Sequence, residues 1–355
     1  MPAEESKKTT RQSYRLSKGI KIMEVCGTHT MTIARYGLRD YFVGTELISG
    51  PGCPVCVTPS NRLEQCLHLL KNKNIVIATF GDMLRVPAFT SSLELEILKG
   101  ADVRVIYCVY DPLKIAEANP EKEVVFIGAG FETTLPAAAA VIKEAYEKKI
   151  KNISVFSMFK SIFPALNMLV SDDDFDINGF ILPGNVAAIA GAGAFRYVAE
   201  KYKISCAVTG FSKKEIVEAI DFLIKNIKSR SCGFKNIYKA VVNEEGNIKA
   251  KNLISEVFDL KDDIWRGLGC IKKSGFRLNK KYATFDADIK FQVKDEKDMN
   301  KKEPCRCGDI MRGKINPYGC GFFGKKCTPL KPLGPCMVSS EGVCSAYYKY
   351  GKYDG

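Results

Sequence analysis

Eight apolar runs of strand length recur between residues 20 and 209: Ile20–Val25, Thr45–Ser49, Asn74–Phe80, Val103–Tyr110, Val124–Ala129, Ile153–Met158, Ile177–Leu182 and Ile204–Thr209. Most are separated by segments with helical spacing of apolar residues. Strands apolar on both faces need cover on both, and strand–helix alternation supplies it by laying helices over a parallel sheet. The expected class is therefore α/β: two lobes with mainly parallel sheets flanked by helices, followed by a C-terminal α+β domain that carries a cysteine-rich segment. The expected divisions are a polar tail over 1–13, a first lobe over 14–119, a second over 120–212 and a third domain over 213–355. The seam between lobes is placed at Asp111-Pro112 or Asn119-Pro120. Beyond residue 212 the pattern predicts a helix to Lys228, a hairpin around Tyr238–Val242 and the following Glu-Glu-Gly-Asn turn, a helical piece at Leu253–Phe258, and a charged linker over Lys294–Lys302.

The chemistry-bearing residues fall directly after the strands. Cys26-Gly-Thr-His29, Gly50-Pro-Gly-Cys53-Pro-Val-Cys56, Gly81-Asp82, Gly130-Phe-Glu132-Thr-Thr134, Pro183-Gly-Asn185 and Gly210-Phe-Ser212 each follow an apolar run. In open parallel sheets this carboxyl edge is where ligands bind. Cys53 and Cys56 lie before a helical stretch, where unpaired backbone N–H groups favour the thiolate and are expected to lower its pKa. Such a pair can cycle to a disulfide or bind a metal. Cys26 and His29, three residues apart, can share a metal, or the imidazole can hold the thiol deprotonated. Cys26, His29, Cys53 and Cys56 together also match a Cys3His zinc set, which stands as a rival. Glu132 opens a helix and serves equally as a partner of the helix dipole or as a site residue. No Gly-x-x-x-x-Gly-Lys-Ser/Thr loop occurs, so no nucleotide site is expected.

Fourteen cysteines in a 355-residue chain call for an explanation. The N-terminal residues contain no apolar core of a secretory signal, and no run has bilayer-spanning length, so a cytoplasmic protein away from membranes is expected. In that compartment metal or redox work explains the thiols better than a disulfide framework. Six of them, Cys305, Cys307, Cys320, Cys327, Cys336 and Cys344, crowd the C-terminal segment without paired Cys-x-x-Cys knuckles. That spacing favours an iron–sulfur cluster on four scattered thiolates, with two cysteines left over, above a zinc ribbon. The net charge of +13 arises from 53 basic residues interspersed with 40 acidic ones and reads as a solvated surface. No nucleic-acid partner is expected, the nearest basic run being Lys272, Lys273, Arg277, Lys280 and Lys281.

Five stretches together resemble the signatures of the HypD family of nickel–iron hydrogenase maturation proteins, nearly end to end. They are Met23-Glu-Val-Cys26-Gly-Thr-His29-Thr, Gly50-Pro-Gly-Cys53-Pro-Val-Cys56, Gly130-Phe-Glu132-Thr-Thr134, Trp265-Arg-Gly-Leu-Gly269, and the spacing of Cys305, Cys320, Cys327 and Cys344. The resemblance implies a 4Fe-4S cluster on those last four cysteines and a nearby redox pair in Cys307 and Cys336. It implies that Cys26 binds the iron that becomes an Fe(CN)2CO centre, with a HypC-type small chaperone and a HypE-type cyanide donor as partners. It further implies that Cys53 and Cys56 pass electrons between cluster and iron, and that His29 and Glu132 shape the iron site. The implied protein is an accessory maturation factor with redox activity rather than a stand-alone enzyme. Many members carry Pro-Gly-His-Val-Ser where this chain has Pro183-Gly-Asn185-Val-Ala187. Two other readings remain: an iron–sulfur thiol–disulfide oxidoreductase acting on protein disulfides, and a zinc-stabilised nucleic-acid binder.

Overall fold

A computed structural model describes residues 19–293 and 305–351; the tail over 1–13 and the linker over Lys294–Lys302 lie outside the described residues. The apolar runs form strands β1 (Ile20–Glu24), β2 (Thr45–Ser49), β3 (Ile75–Phe80), β4 (Val103–Ile106), β5 (Glu123–Gly130), β6 (Ile153–Phe159), β7 (Gly179–Pro183) and β8 (Ser205–Thr209). A ninth, β9 (Phe234–Asn236), is too short to stand out in the sequence. They build two wholly parallel sheets, one in the order β2-β1-β7-β8-β9 and one in the order β4-β3-β5-β6. The class is thus α/β as the pattern predicts, with helices over the sheets.

The sheets do not follow the chain in simple halves. β1 pairs on one side with β2 and on the other with β7, which begins only at Gly179, and the whole second sheet, β3 to β6, intervenes. The seam expected at Asn119-Pro120 therefore falls between β4 and β5, two strands of one sheet. The run Val103–Tyr110 is a strand only to Ile106. There Asp111, at the start of the helix Asp111–Ala118, accepts the Tyr107 and Cys108 N–H groups on Oδ2 at 3.1 and 2.9 Å and turns the chain.

The hairpin is also displaced from its expected place. Residues after β9 lead through a turn into the helix Ile248–Val257, and the antiparallel hairpin is β10 (Phe258–Trp265) with β11 (Gly269–Leu278). Its charged residues, among them Asp259, Asp262, Lys272, Lys273 and Arg277, point to solvent and masked the strand signal. Short helices Cys307–Met311 and Val343–Tyr350 complete a C-terminal α+β region.

Alternation along the strands divides the core. In β1, Ile22 faces a cluster with Ile216, Ile220 and Leu223 of the helix Lys213–Lys228, while Met23 faces the opposite way. The second face belongs to the largest cluster, which runs from Met23 and Val25 through Ile127 and Phe156 of the other sheet to Cys307, Cys336 and Cys344. One continuous apolar core thus joins both sheets to the cysteine-rich segment. Burial of this kind stabilises by about 25 cal/mol per Å² of apolar surface and fixes the two sheet edges against each other.

Candidate functional site

The register of β1 determines what stands beside Cys26. Glu24 pairs with Ser49 on one side and Ile181 on the other, so the loops after β1, β2 and β7 emerge together. Facing them are Phe131, Thr133 and Thr134 after β5, and Ile162 after β6. Between the two carboxyl edges lies a cavity of about 220 Å³, also lined by Cys26, Gly52, Asn185 and Glu341. The ligand-binding edge expected from the sequence is therefore shared by both sheets.

Cys26 caps the helix Gly27–Arg35, extended at φ −152°. The N–H groups of His29 and Thr28 turn toward its sulfur, as expected at a helix start. Burial nevertheless dominates: desolvation, with added repulsion from Glu341 and Glu24, pushes the thiol up to about 12. Glu24 is itself buried. Its Oε2 accepts the Cys26 N–H at 2.9 Å, and its Oε1 accepts the Thr30 hydroxyl, fixing the helix start. Desolvation raises Glu24 to about 7 in spite of those bonds and of Ser49 and Arg39. Asn185 presents Oδ1 3.8 Å from the Cys26 sulfur, and Glu341 accepts the Thr28 hydroxyl at 2.7 Å.

His29 and Glu132, expected beside the iron, stand behind the cavity wall. The His29 ring donates from Nε2 to the Gly210 carbonyl at 2.9 Å and packs on Phe211 with centroids 4.9 Å apart. Its Nδ1 is buried without a partner, and desolvation lowers the imidazole to about 4, so it is neutral. Glu132 Oε1 accepts the Ser161 hydroxyl at 2.7 Å and the Ile162 N–H at 3.2 Å, while Oε2 is buried and unpartnered. Burial raises this carboxyl to about 7. Glu132 braces Ile162 of the cavity lining, and His29 ties the helix that starts at Cys26 to the loop after β8. The imidazole is turned to the main chain of residue 210 rather than to the Cys26 thiol.

The dithiol forms the next layer. Cys53 and Cys56 are 5% and 3% exposed, with sulfurs 2.8 Å apart; the Cys56 N–H faces the Cys53 sulfur at 3.3 Å, and the Cys53 sulfur lies 3.6 Å from Ser339 Oγ. The helix that follows begins only at Ser60. Burial and the neighbouring sulfurs of Cys336 and Cys53 raise Cys56 well above an ordinary thiol, reversing the lowering expected from a helix N-terminus. Cys336 thus stands beside Cys56, while Cys307 donates to or accepts from Cys305, a contact that raises Cys305 ahead of burial. Cys344, raised by burial, lies within the field of Cys336, Cys305, Cys327 and Cys320.

All six C-terminal thiols are therefore gathered in one region, continuous with the dithiol. Among the described residues, no three or more His, Cys, Asp or Glu side chains converge closely enough to hold a metal ion as they stand. The four thiols Cys305, Cys320, Cys327 and Cys344 do fit a group that spreads its ligands around several atoms. They are all sulfur, Cys344 lies in the field of the other three, and each is buried or half-buried. The Leu333 N–H lies 3.3 Å from the Cys327 sulfur, and a Cβ on Gly334 would sit 2.6 Å from the Cys305 sulfur, so the chain wraps closely there.

Glu341 and Ser339 escaped the sequence reading. The polar run Ser339-Ser-Glu341 between Cys336 and Cys344 was the available signal. Its meaning depended on the helix Val343–Tyr350 packing against Gly27–Arg35, which carries Glu341 to Cys26. Among the described residues no helix is long and apolar enough to cross a membrane.

A family model described as "HypD: Hydrogenase formation hypA family" matches residues 3–351. The chain is 39% identical over 339 residues to hydrogenase maturation factor HypD of Rhodobacter capsulatus, covering 94% of this chain and 90% of that protein. It is 37% identical over 345 residues to hydrogenase maturation factor HypD2 of Bradyrhizobium diazoefficiens, covering 95% and 90%. Against HypD of Escherichia coli strain K12 the identity is 36% over 340 residues, covering 95% and 91%.

Proposed function

The chain belongs to the HypD family of hydrogenase maturation factors, and from that premise we propose that it is a scaffold on which iron acquires cyanide and carbonyl ligands. Iron is the substrate, held by Cys26 in the cavity between the two sheet edges. The observation that carries this reading is the position of Cys26: at the cavity wall, beside Glu341 and Asn185, with a buried dithiol directly behind it. Burial, reinforced by the charges of Glu341 and Glu24, which oppose a second negative group, holds the Cys26 thiol protonated when no cation is present. The same charge favours a divalent cation, and a cation at the sulfur reverses the balance, so that the thiol proton leaves as iron binds.

Cys53 and Cys56 exchange two electrons and two protons on passing between dithiol and disulfide, at a distance that needs only a small closure of the pair. Cys336 extends this pair toward the C-terminal thiols, and Cys307 stands against Cys305. Cys305, Cys320, Cys327 and Cys344 would hold a 4Fe-4S cluster, which supplies one-electron transfers when bound. His29 and Glu132 act by fixing the loops that carry Cys26 and Thr133. A HypC-type chaperone would offer a second thiolate to iron at the cavity mouth, and a HypE-type donor the cyanide.

The competing reading, a thiol–disulfide oxidoreductase for protein substrates, requires a dithiol that another protein can touch. The burial of Cys53 and Cys56 speaks against it. The test is infrared spectroscopy of protein purified anaerobically from hydrogenase-producing cells. Bands of iron-bound cyanide and carbonyl are expected in the natural chain and absent from Cys26→Ala, with the visible absorbance of the cysteine-rich segment retained. Persistence of those bands in Cys26→Ala would remove Cys26 from the role.

A further inference from the structure

We infer that Arg266 is a positioning residue that clasps the dithiol loop to the cysteine-rich segment and keeps Cys56 within reach of Cys336. The inference rests on the redox reading of these thiols given above. Arg266 lies in the connection between β10 and β11 and is 5% exposed. Its main-chain N–H donates to the Val57 carbonyl at 2.9 Å, immediately after Cys56. One arm of the guanidinium donates from Nη1 to Ser60 Oγ at 2.8 Å, at the start of the next helix. The other donates from Nη2 to the Leu333 carbonyl at 3.4 Å, on the turn whose own N–H faces the Cys327 sulfur. The adjacent Gly267, at φ +74°, leaves so little space that a Cβ there would meet Gly308 Cα at 2.6 Å and the Cys307 sulfur at 3.2 Å.

The hairpin that carries this tip is itself anchored. Trp265 donates from Nε1 to Ser274 Oγ at 2.9 Å, and buried Lys160 of the chain just after β6 pairs with Asp263. The tip is therefore a fixed finger that touches residues 57 and 60 on one side and 307, 308 and 333 on the other. A planar guanidinium serves both sides at once because its donors diverge in a rigid fork; an ammonium on a flexible stem cannot replace it.

The test uses the full chain with Cys53→Ser, so that the thiol beside Cys56 is Cys336. Diamide oxidises the two thiols to one disulfide, its N=N bond taking up the two electrons and two protons, and peptide mapping follows the Cys56–Cys336 link with time. With Arg266 in place the link is expected to form. Arg266→Gln should slow it by about tenfold or more, since small misplacements of reacting atoms have effects of that order or larger. Arg266→Lys should not restore the rate. Ser60→Ala, which removes the Nη1 bond together with the hydroxyl's own long bond to the Pro87 carbonyl at 3.5 Å, should slow it by about threefold with an unchanged near-ultraviolet circular dichroism spectrum. Equal rates for Arg266→Gln and its parent would overturn the clasp; should that variant not fold, an unchanged rate in Ser60→Ala would do so. Failure of the link to form with Arg266 intact would instead overturn the redox reading beneath it.

Discussion

Replacing Glu132 by Gln should make the protein's stability less dependent on pH, by an amount that burial sets. The carboxyl rises from 4.5 to about 7 in the folded chain, with desolvation outweighing the bonds from Ser161 and Ile162. A shift of about 2.5 units corresponds to about 3 kcal/mol, at roughly 1.4 kcal/mol per unit. The sign follows from proton binding: the folded state holds the proton more tightly, so this group's contribution is fully present below 4.5 and is lost as pH rises through about 7. Gln mimics the protonated acid, since its Oε1 can accept the same two bonds and it carries no charge. The difference in unfolding free energy between Glu132→Gln and the natural chain should therefore shift toward the variant by about 3 kcal/mol between pH 4.5 and pH 8. Glu24, which titrates over the same range, cancels in the comparison. Urea unfolding of both chains at several pH values measures the difference. A difference constant with pH would refute the claim that Glu132 is buried, strained toward its neutral form and set behind the cavity wall.

Lys160→Met should destabilise the fold by about 3–5 kcal/mol by leaving the Asp263 carboxylate, 2.5 Å from Lys160 Nζ, without its cation; the double change with Asp263→Leu should recover most of that loss in urea titrations. Gly52→Ala should open the dithiol loop, because a Cβ at Gly52 would stand 2.1 Å from the Cys26 main-chain nitrogen; a cost of about 1–3 kcal/mol and faster alkylation of Cys53 and Cys56 are expected, and an unchanged alkylation rate would contradict the packing. In the native chain, iodoacetamide should modify the exposed Cys108, Cys232 and Cys270 well before Cys26, Cys53 and Cys56, with the order collapsing in urea; mass mapping that found Cys53 as fast as Cys270 would be inconsistent with this burial.

The strands were legible because runs such as Ile75–Phe80 and Ile153–Phe159 are apolar on both faces, a pattern that only covered sheets accommodate. Their carboxyl edge was legible for the same reason, since Cys26 and Gly50 come just after β1 and β2 and Gly130 ends β5. Strand order was not, because parallel pairing between β1 and β7 leaves no local mark in either segment. The hairpin β10–β11 was hidden by the solvent-facing Asp and Lys residues that surround its inward-facing Trp265. At the site, the thiols were legible by spacing, whereas their protonation was not: a helix start favours thiolate by a modest dipole, and burial of Cys26 and Cys56 reverses it. Neither the pairing of Cys336 with Cys56 nor the arrival of Glu341 at Cys26 has a sequence signature, since both depend on how the C-terminal segment folds back.

The central claim is that Cys26 holds iron as substrate, separately from the C-terminal thiols. Iron and acid-labile sulfide per chain in anaerobically purified protein, measured for the natural chain and for Cys26→Ala, test it most directly. The account predicts about four sulfides in both proteins, and iron beyond about four only where Cys26 is present. Excess iron undiminished in Cys26→Ala, or zinc with no sulfide in either protein, would contradict it.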